Sequence, residues 1–229
     1  MTREPAPQRR RGAVGRGYGG VVSLARAERA ALSDTLDRTD PDQPTLCAGW
    51  TARDLLAHLL VRERQPWASG GIVIPFLAPL TERAMQGYAD TGWKDMVEQL
   101  RSGPPAWSPS RIGRVDEAVN GAELFVHHED VRRGRPGWEP RGADETRDGA
   151  LWDLVTRMGR LFYRRSPVGV VVRRPTGAQA VIKTGRGLVT IEGEPGEILL
   201  HAFGRDAARA ELRGQPADVD ALAGSGRGA

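Results

Sequence analysis

The chain has 229 residues, 39% hydrophobic and 27% charged, which is ordinary for a globular protein and enough to bury a substantial core. Its formal net charge of +4 is confined to the first 20 residues, which hold five arginines and one acid, while the remainder carries 28 basic and 28 acidic side chains. No apolar run approaches the roughly 20 residues of a membrane span, the start lacks a signal-peptide pattern, and the single cysteine, Cys47, excludes an internal disulfide framework, so the expected location is the cytoplasm.

Residues 1–20, rich in Pro, Gly and Arg, form a basic leader that cannot build a core and is expected to be disordered. With the rest of the chain neutral, nucleic acid is not the expected partner. The leader's GRGYGG gives Gly15, Gly17 and Gly20 the spacing of a dinucleotide loop, but no strand precedes it. Helical spacing then runs from Val21 to about Leu36, with Leu24, Ala31, Leu32 and Leu36 on or near one face. GWTARDLLAHLLVRER starts a second helix, with Thr51 as N-cap and Asp54 three residues on, and Pro66 bounds it. GGIVIPFLAP, residues 70–79, reads as a packed apolar connection. Further helical stretches run from about Leu80 to Tyr88, Trp93 to Leu100, Asp116 to Arg133 and Asp144 to Arg164. Beyond Pro167 the texture changes. VGVVVRR, QAVIKT and GLVTIEG read as short strands, PGEILLHAFGR as a helix opened by Pro195 and ended by Gly204, ARAELRG as a last strand and PADVDALAG as a last short helix. The expected organisation is a leader over 1–20, a helical bundle over 21–165, a small α+β unit over 166–223 and a flexible tail over 224–229.

The chemistry concentrates in NGAELFVHHEDVRR, residues 120–133. At ~100° per residue, Glu123 and His127 stack four apart on one helix face, Asp130 shares that face, and His128 and Glu129 point away. A half-buried Glu–His pair is costly to keep dry unless a partner charge is present, and a divalent metal supplies one. His58, between Leu55, Leu59 and Leu60, lies on an inward face of another helix. Together His58, Glu123 and His127 would make a two-histidine, one-carboxylate site of the kind helical bundles build. The alternatives are a hydrogen-bonded core histidine and a solvated surface pair. His128 is expected at the surface or as an outer support, His201 as an ordinary core or surface histidine, and Cys47, near Trp50, as a small buried hydrophobe, with a redox or ligand residue as the alternative.

PTLCAGWTARDLLAHLLVRER followed by ELFVHHEDVRR resembles the metal-binding helical domain of the mycothiol-dependent maleylpyruvate isomerase family, within the DinB-like four-helix-bundle superfamily. RSPVGVVVRRP and VTIEGEPGEILLHAFGR resemble that family's small C-terminal α+β domain, which is sterol-carrier-like. The likeness covers residues ~21–215 and is greatest to a subgroup of actinobacterial metal-binding proteins of unassigned reaction. It implies a fold that is α, then α+β. It also implies His58, Glu123 and His127 as metal ligands, and mycothiol as thiol cosubstrate. Three protein ligands leave an open coordination position, as in catalytic zinc sites; zinc is the expected ion, although the same set also suits ferrous iron or other divalent ions. A thiol entering there would lose its proton and attack an electrophilic small molecule, as a transferase or isomerase does. Arg62, one turn after His58, and Arg132 or Arg133 are eligible by position to steady an oxyanion, and Asp130 to orient His127. The resemblance also implies an arginine from the C-terminal unit, with Arg173, Arg174 and Arg205 as candidates. The alternative function is a metal- or small-ligand-binding protein without turnover.

Overall fold

A computed structural model describes residues 23–65, 67, 78–108 and 114–226. The leader over 1–20, most of the connection over 70–79 and the last three tail residues lie outside the described residues.

Among the described residues six helices come first: α1 (Leu24–Leu36), α2 (Ala52–Arg64), α3 (Ala78–Gln86), α4 (Trp93–Arg101), α5 (Arg114–Arg133) and α6 (Glu145–Phe162). Their starts follow local chemistry. The Ser23 and Asp144 side chains accept the amides of Arg26 and Arg147, and Thr51 and Asp54 complete a reciprocal capping box at the head of α2. The spacing predicts α1 from Val21, whereas the Ser23 cap starts the helix at Leu24. α5 begins at Arg114, a little before the expected Asp116.

The remainder is mixed: β1 (Gly169–Arg173), β2 (Gln179–Lys183), β3 (Leu188–Glu192), α7 (Pro195–Ala202), β4 (Glu211–Gly214) and α8 (Pro216–Ala223). The strands form one sheet in the order β2-β1-β3-β4. β1 runs parallel to β3, with Val171 opposite Thr190, and the outer pairings are antiparallel. Prolines open α7 and α8, and Gly204, at φ +78°, follows α7 in the left-handed conformation that lets the chain turn back. The chain is therefore helical first and α+β second. Among the described residues no helix is long and apolar enough to cross a membrane.

Two apolar cores flank α5. Leu124 and Val131 join Leu32 and Leu36 of α1, Leu55, Leu56, Leu59 and Leu60 of α2, and Met96 and Leu100 of α4. Phe125 and Val126 join Leu151, Leu154 and Val155 of α6, Val170, Val172, Val189 and Ile191 of the sheet, and Ile198 to Leu200 of α7. α6 thus packs with the sheet and α7 although it precedes them in the helical stretch. Because both sides of α5 are covered, nearly every residue from Gly121 to Arg133 is removed from water. Polar side chains in that stretch must find partners within the protein.

The α1–α2 connection lies across the end of α5. The Leu46 amide donates to the Asp130 carbonyl at 3.1 Å and the Gln43 side-chain amide to that of Val131 at 2.9 Å. Gly134 allows this approach, since a Cβ there would stand 2.1 Å from the Pro44 carbonyl oxygen.

Candidate metal centre

His58 on α2 and Glu123 and His127 on α5 converge, each with a donor atom within 4.8 Å of the other two. The His58 and His127 rings meet nearly edge-on at 5.3 Å, and the Trp50 ring lies 5.1 Å from His58 on another side. His127 Nε2 is 3.4 Å from a Glu123 oxygen, and Arg62 reaches the same carboxylate at 3.2 Å. Arg62 therefore stands beside the cluster, as its place one turn after His58 predicts. Asp130, fully buried, accepts from His127 Nδ1 at 3.0 Å.

The electrostatics divide the two histidines. Burial, reinforced by the charge on His127, holds His58 down to about 3, so it is a neutral imidazole with a free lone pair. Burial alone would also lower His127, but bonds to Asp130, Cys47 and Glu123 more than reverse this and raise it well above 6.5. The carboxylates are ionised. Burial would raise both, but the His127 bond and the Arg62 charge bring Glu123 to about 2, and the His127 and Arg205 bonds bring Asp130 to about 2. One neutral imidazole, one imidazolium and one carboxylate, drawn together in a half-dry setting, form a donor set that a divalent cation can take over by displacing a single proton.

Beyond this cluster lies a layer whose pairings the sequence did not reveal, although it offered Asp130 and Arg205 as candidates. Arg205, just after α7, closes on the Asp130 carboxylate from Nε and Nη2. Of the three candidate arginines of the C-terminal part, it alone reaches Asp130. Arg173 pairs with Glu192 at 3.7 Å and Arg174 lies over the Trp152 ring. Seventy-five positions separate Arg205 from Asp130, and no local pattern marks the pairing. Cys47 is not a small buried hydrophobe: it is half-buried, its thiol donates to Asp130 at 3.3 Å, and Arg205 lies 3.7 Å from its sulfur. The Leu46–Asp130 backbone bond places it there.

His128 also departs from expectation. It points away from the side of α5 that carries the cluster, as the helical period requires, yet it is 3% exposed, because α1 and the segment after α5 cover that side. Burial lowers its pKa despite the Glu28 hydrogen bond, which fits a neutral ring donating from Nδ1 to Glu28 and accepting at Nε2 from the Thr35 hydroxyl. Arg141 joins Glu28 to Glu129, and Arg133 joins Glu129 to Glu197 of α7. Arg132 pairs with Glu129 as well. Arg132 and Arg133 are thus committed to an ionic layer behind α5 and do not face the cluster. His201 is a core residue hydrogen-bonded to the Tyr163 hydroxyl.

Among solved structures, a crystal structure of the mycothiol-dependent maleylpyruvate isomerase matches with a TM-score of 0.55 at 16% identity, covering 84% of this chain and 91% of that one. A histidine-to-alanine variant of that enzyme matches equally. Likeness at this identity carries the fold alone. No curated protein matches the chain in sequence. The family model for the mycothiol maleylpyruvate isomerase N-terminal domain matches residues 22–156, a span that holds both helices of the cluster, and the chain belongs to that family.

Proposed function

We propose that the chain binds a divalent metal through His58, Glu123 and His127 and acts as a mycothiol-dependent transferase or isomerase. The observation that carries this reading is the convergence of those three donors from two helices, with His58 held neutral and Glu123 ionised. Zinc is the expected ion, and the same donor set also suits ferrous iron and other divalent metals. A metal in that position would supply a thiolate at neutral pH, able to add reversibly to an electrophilic carbon for isomerisation or to remain attached as a conjugate.

The protein's own groups have separable tasks. Asp130 fixes the His127 ring by accepting from Nδ1, which leaves Nε2 directed at the cluster. Arg205 neutralises Asp130 and ties the α+β part to the cluster. Arg62 is the cation nearest the Glu123 side, placed to steady negative charge developing on a substrate oxygen. Trp50 and the surrounding leucines shield His58 from water and keep it unprotonated.

In this reading the helical part, 21–165, is a DinB-like four-helix bundle whose last helix, α6, also packs on the sheet. The part over 166–223 is a sterol-carrier-like unit forming the other wall of a cleft, and the protein works in the cytoplasm on a small-molecule thiol and electrophile. The test is to incubate zinc-loaded protein with mycothiol and a panel of electrophiles and to follow thiol loss. Consumption that requires both metal and protein supports the reading. No consumption, with metal affinity unchanged on adding thiol, would replace it with a binding protein without turnover.

A further inference from the structure

We infer that the chain carries a second cation position, selective for thiophilic ions, built from Cys47 Sγ, Asp130 Oδ2 and His127 Nδ1. It lies on the opposite ring nitrogen of His127 from the one facing Glu123. This goes beyond the metal reading above and does not need it, because neither Cys47 nor Asp130 belongs to that ligand set.

The geometry is that of a preformed ligand face. The three donor atoms all lie within 4.8 Å of one another, with Sγ 3.3 Å and Nδ1 3.0 Å from the same carboxylate oxygen. Ligands of a tetrahedral ion with bonds of roughly 2.0–2.3 Å stand about 3.3–3.8 Å apart, so only small shifts are required. The donors are held from behind. The Cys47 amide donates to the Thr45 hydroxyl at 3.2 Å and the Leu46 amide to the Asp130 carbonyl. An ion can enter through the open cleft that Cys47 shares with Ala48, Gly204, Arg205 and Asp206.

Arg205 decides the selectivity. Its Nη2 lies 2.7 Å from Asp130 and 3.7 Å from the Cys47 sulfur, so the guanidinium already supplies the positive charge this corner requires. An ion that bonds only to oxygen gains little by displacing it. An ion that bonds strongly to sulfur gains the thiolate as well, and Arg205 lines the cleft and can turn into it. On binding, the Cys47 thiol proton and the His127 Nδ1 proton leave to solvent, while Nε2–H stays on Glu123. His127 cannot give both nitrogens to cations without becoming an imidazolate. The two positions therefore compete for it, and a soft ion draws His127 away from His58.

The test titrates the metal-free full chain with Cd2+ and reads the ultraviolet thiolate-to-cadmium charge-transfer band, to which Cys47 is the only possible contributor. The wild type should develop the band to saturation at one equivalent, and His58→Ala should keep it, separating this position from the first. Asp130→Asn and His127→Gln should each weaken cadmium at least about tenfold, and Arg205→Met should tighten it. A band with unchanged affinity in Asp130→Asn and His127→Gln would mean a lone thiol. Absence of the band in the wild type, or its loss in His58→Ala, would equally overturn the proposal.

Discussion

Arg205 holds Asp130 through two nitrogens, at 3.0 Å from Nε and 2.7 Å from Nη2, and Asp130 in turn holds His127. A residue just beyond α7 thus sets the orientation of a ring on α5. Asp130 has no exposure to water, and a carboxylate in that condition needs its cation, because a buried charge left unpaired costs several kcal/mol.

Asp130→Asn keeps the shape but removes the charge that orients His127 and anchors Arg205. Metal affinity should fall about 10- to 100-fold with the fold retained. Competition against a chelator of known affinity reads the change, and an unaltered constant would remove Asp130 from the site.

His127→Ala should strip most of the metal, since His58 and Glu123 alone offer too few ligands. Helical content should stay close to the wild type, because the ring packs at a polar seam between the two apolar cores. Metal analysis beside far-ultraviolet circular dichroism checks both halves. Stoichiometric metal in the purified variant would refute the ligand assignment.

Metal affinity should rise with pH through neutrality. His58 stays neutral down to about 3 and Glu123 ionised down to about 2, so neither exchanges a proton there. His127 is raised well above 6.5 and must release one proton to bind. Below that raised pKa each pH unit should increase the apparent association constant about tenfold, and the slope should flatten above it. Affinities measured between about pH 6 and 8 decide the point, and a flat profile contradicts it.

Arg62→Met should leave the metal bound within about an order of magnitude, because Glu123 keeps its other partners, while thiol consumption drops by roughly 10²-fold or more. Equal losses of metal and turnover would show that Arg62 serves only to hold Glu123.

Gly134→Ala should destabilise the protein by about 2–3 kcal/mol. The new methyl would meet the Pro44 oxygen at 2.1 Å and the Thr45 Cα at 2.6 Å, both backbone atoms that cannot swing aside. The connection carrying Cys47 and Trp50 must lift off α5, so metal affinity should fall together with the melting temperature. A variant as stable as the wild type would mean that this connection is not tightly seated.

Much was legible in the residues themselves. The Thr51–Asp54 box, the helical spacing on either side of His58, the strand texture after Pro167 and the prolines opening α7 and α8 are local signals, and they mark local structure. The stacking of Glu123, His127 and Asp130 on one face is likewise a consequence of 3.6 residues per turn. Local sequence thus dictates the elements and which polar side chains share a direction, whereas which of those directions are covered depends on packing. The helical period turns His128 away from the cluster but cannot say that α1 and the segment after α5 lie over it with Glu28 and Arg141. Nor can it say that Arg205 and Cys47 meet on Asp130, or that α6 packs with the sheet and α7 as well as against α5. Burial of a given face depends on the elements packed against it from distant parts of the chain, and that arrangement is set by the two cores closing on α5 from opposite sides.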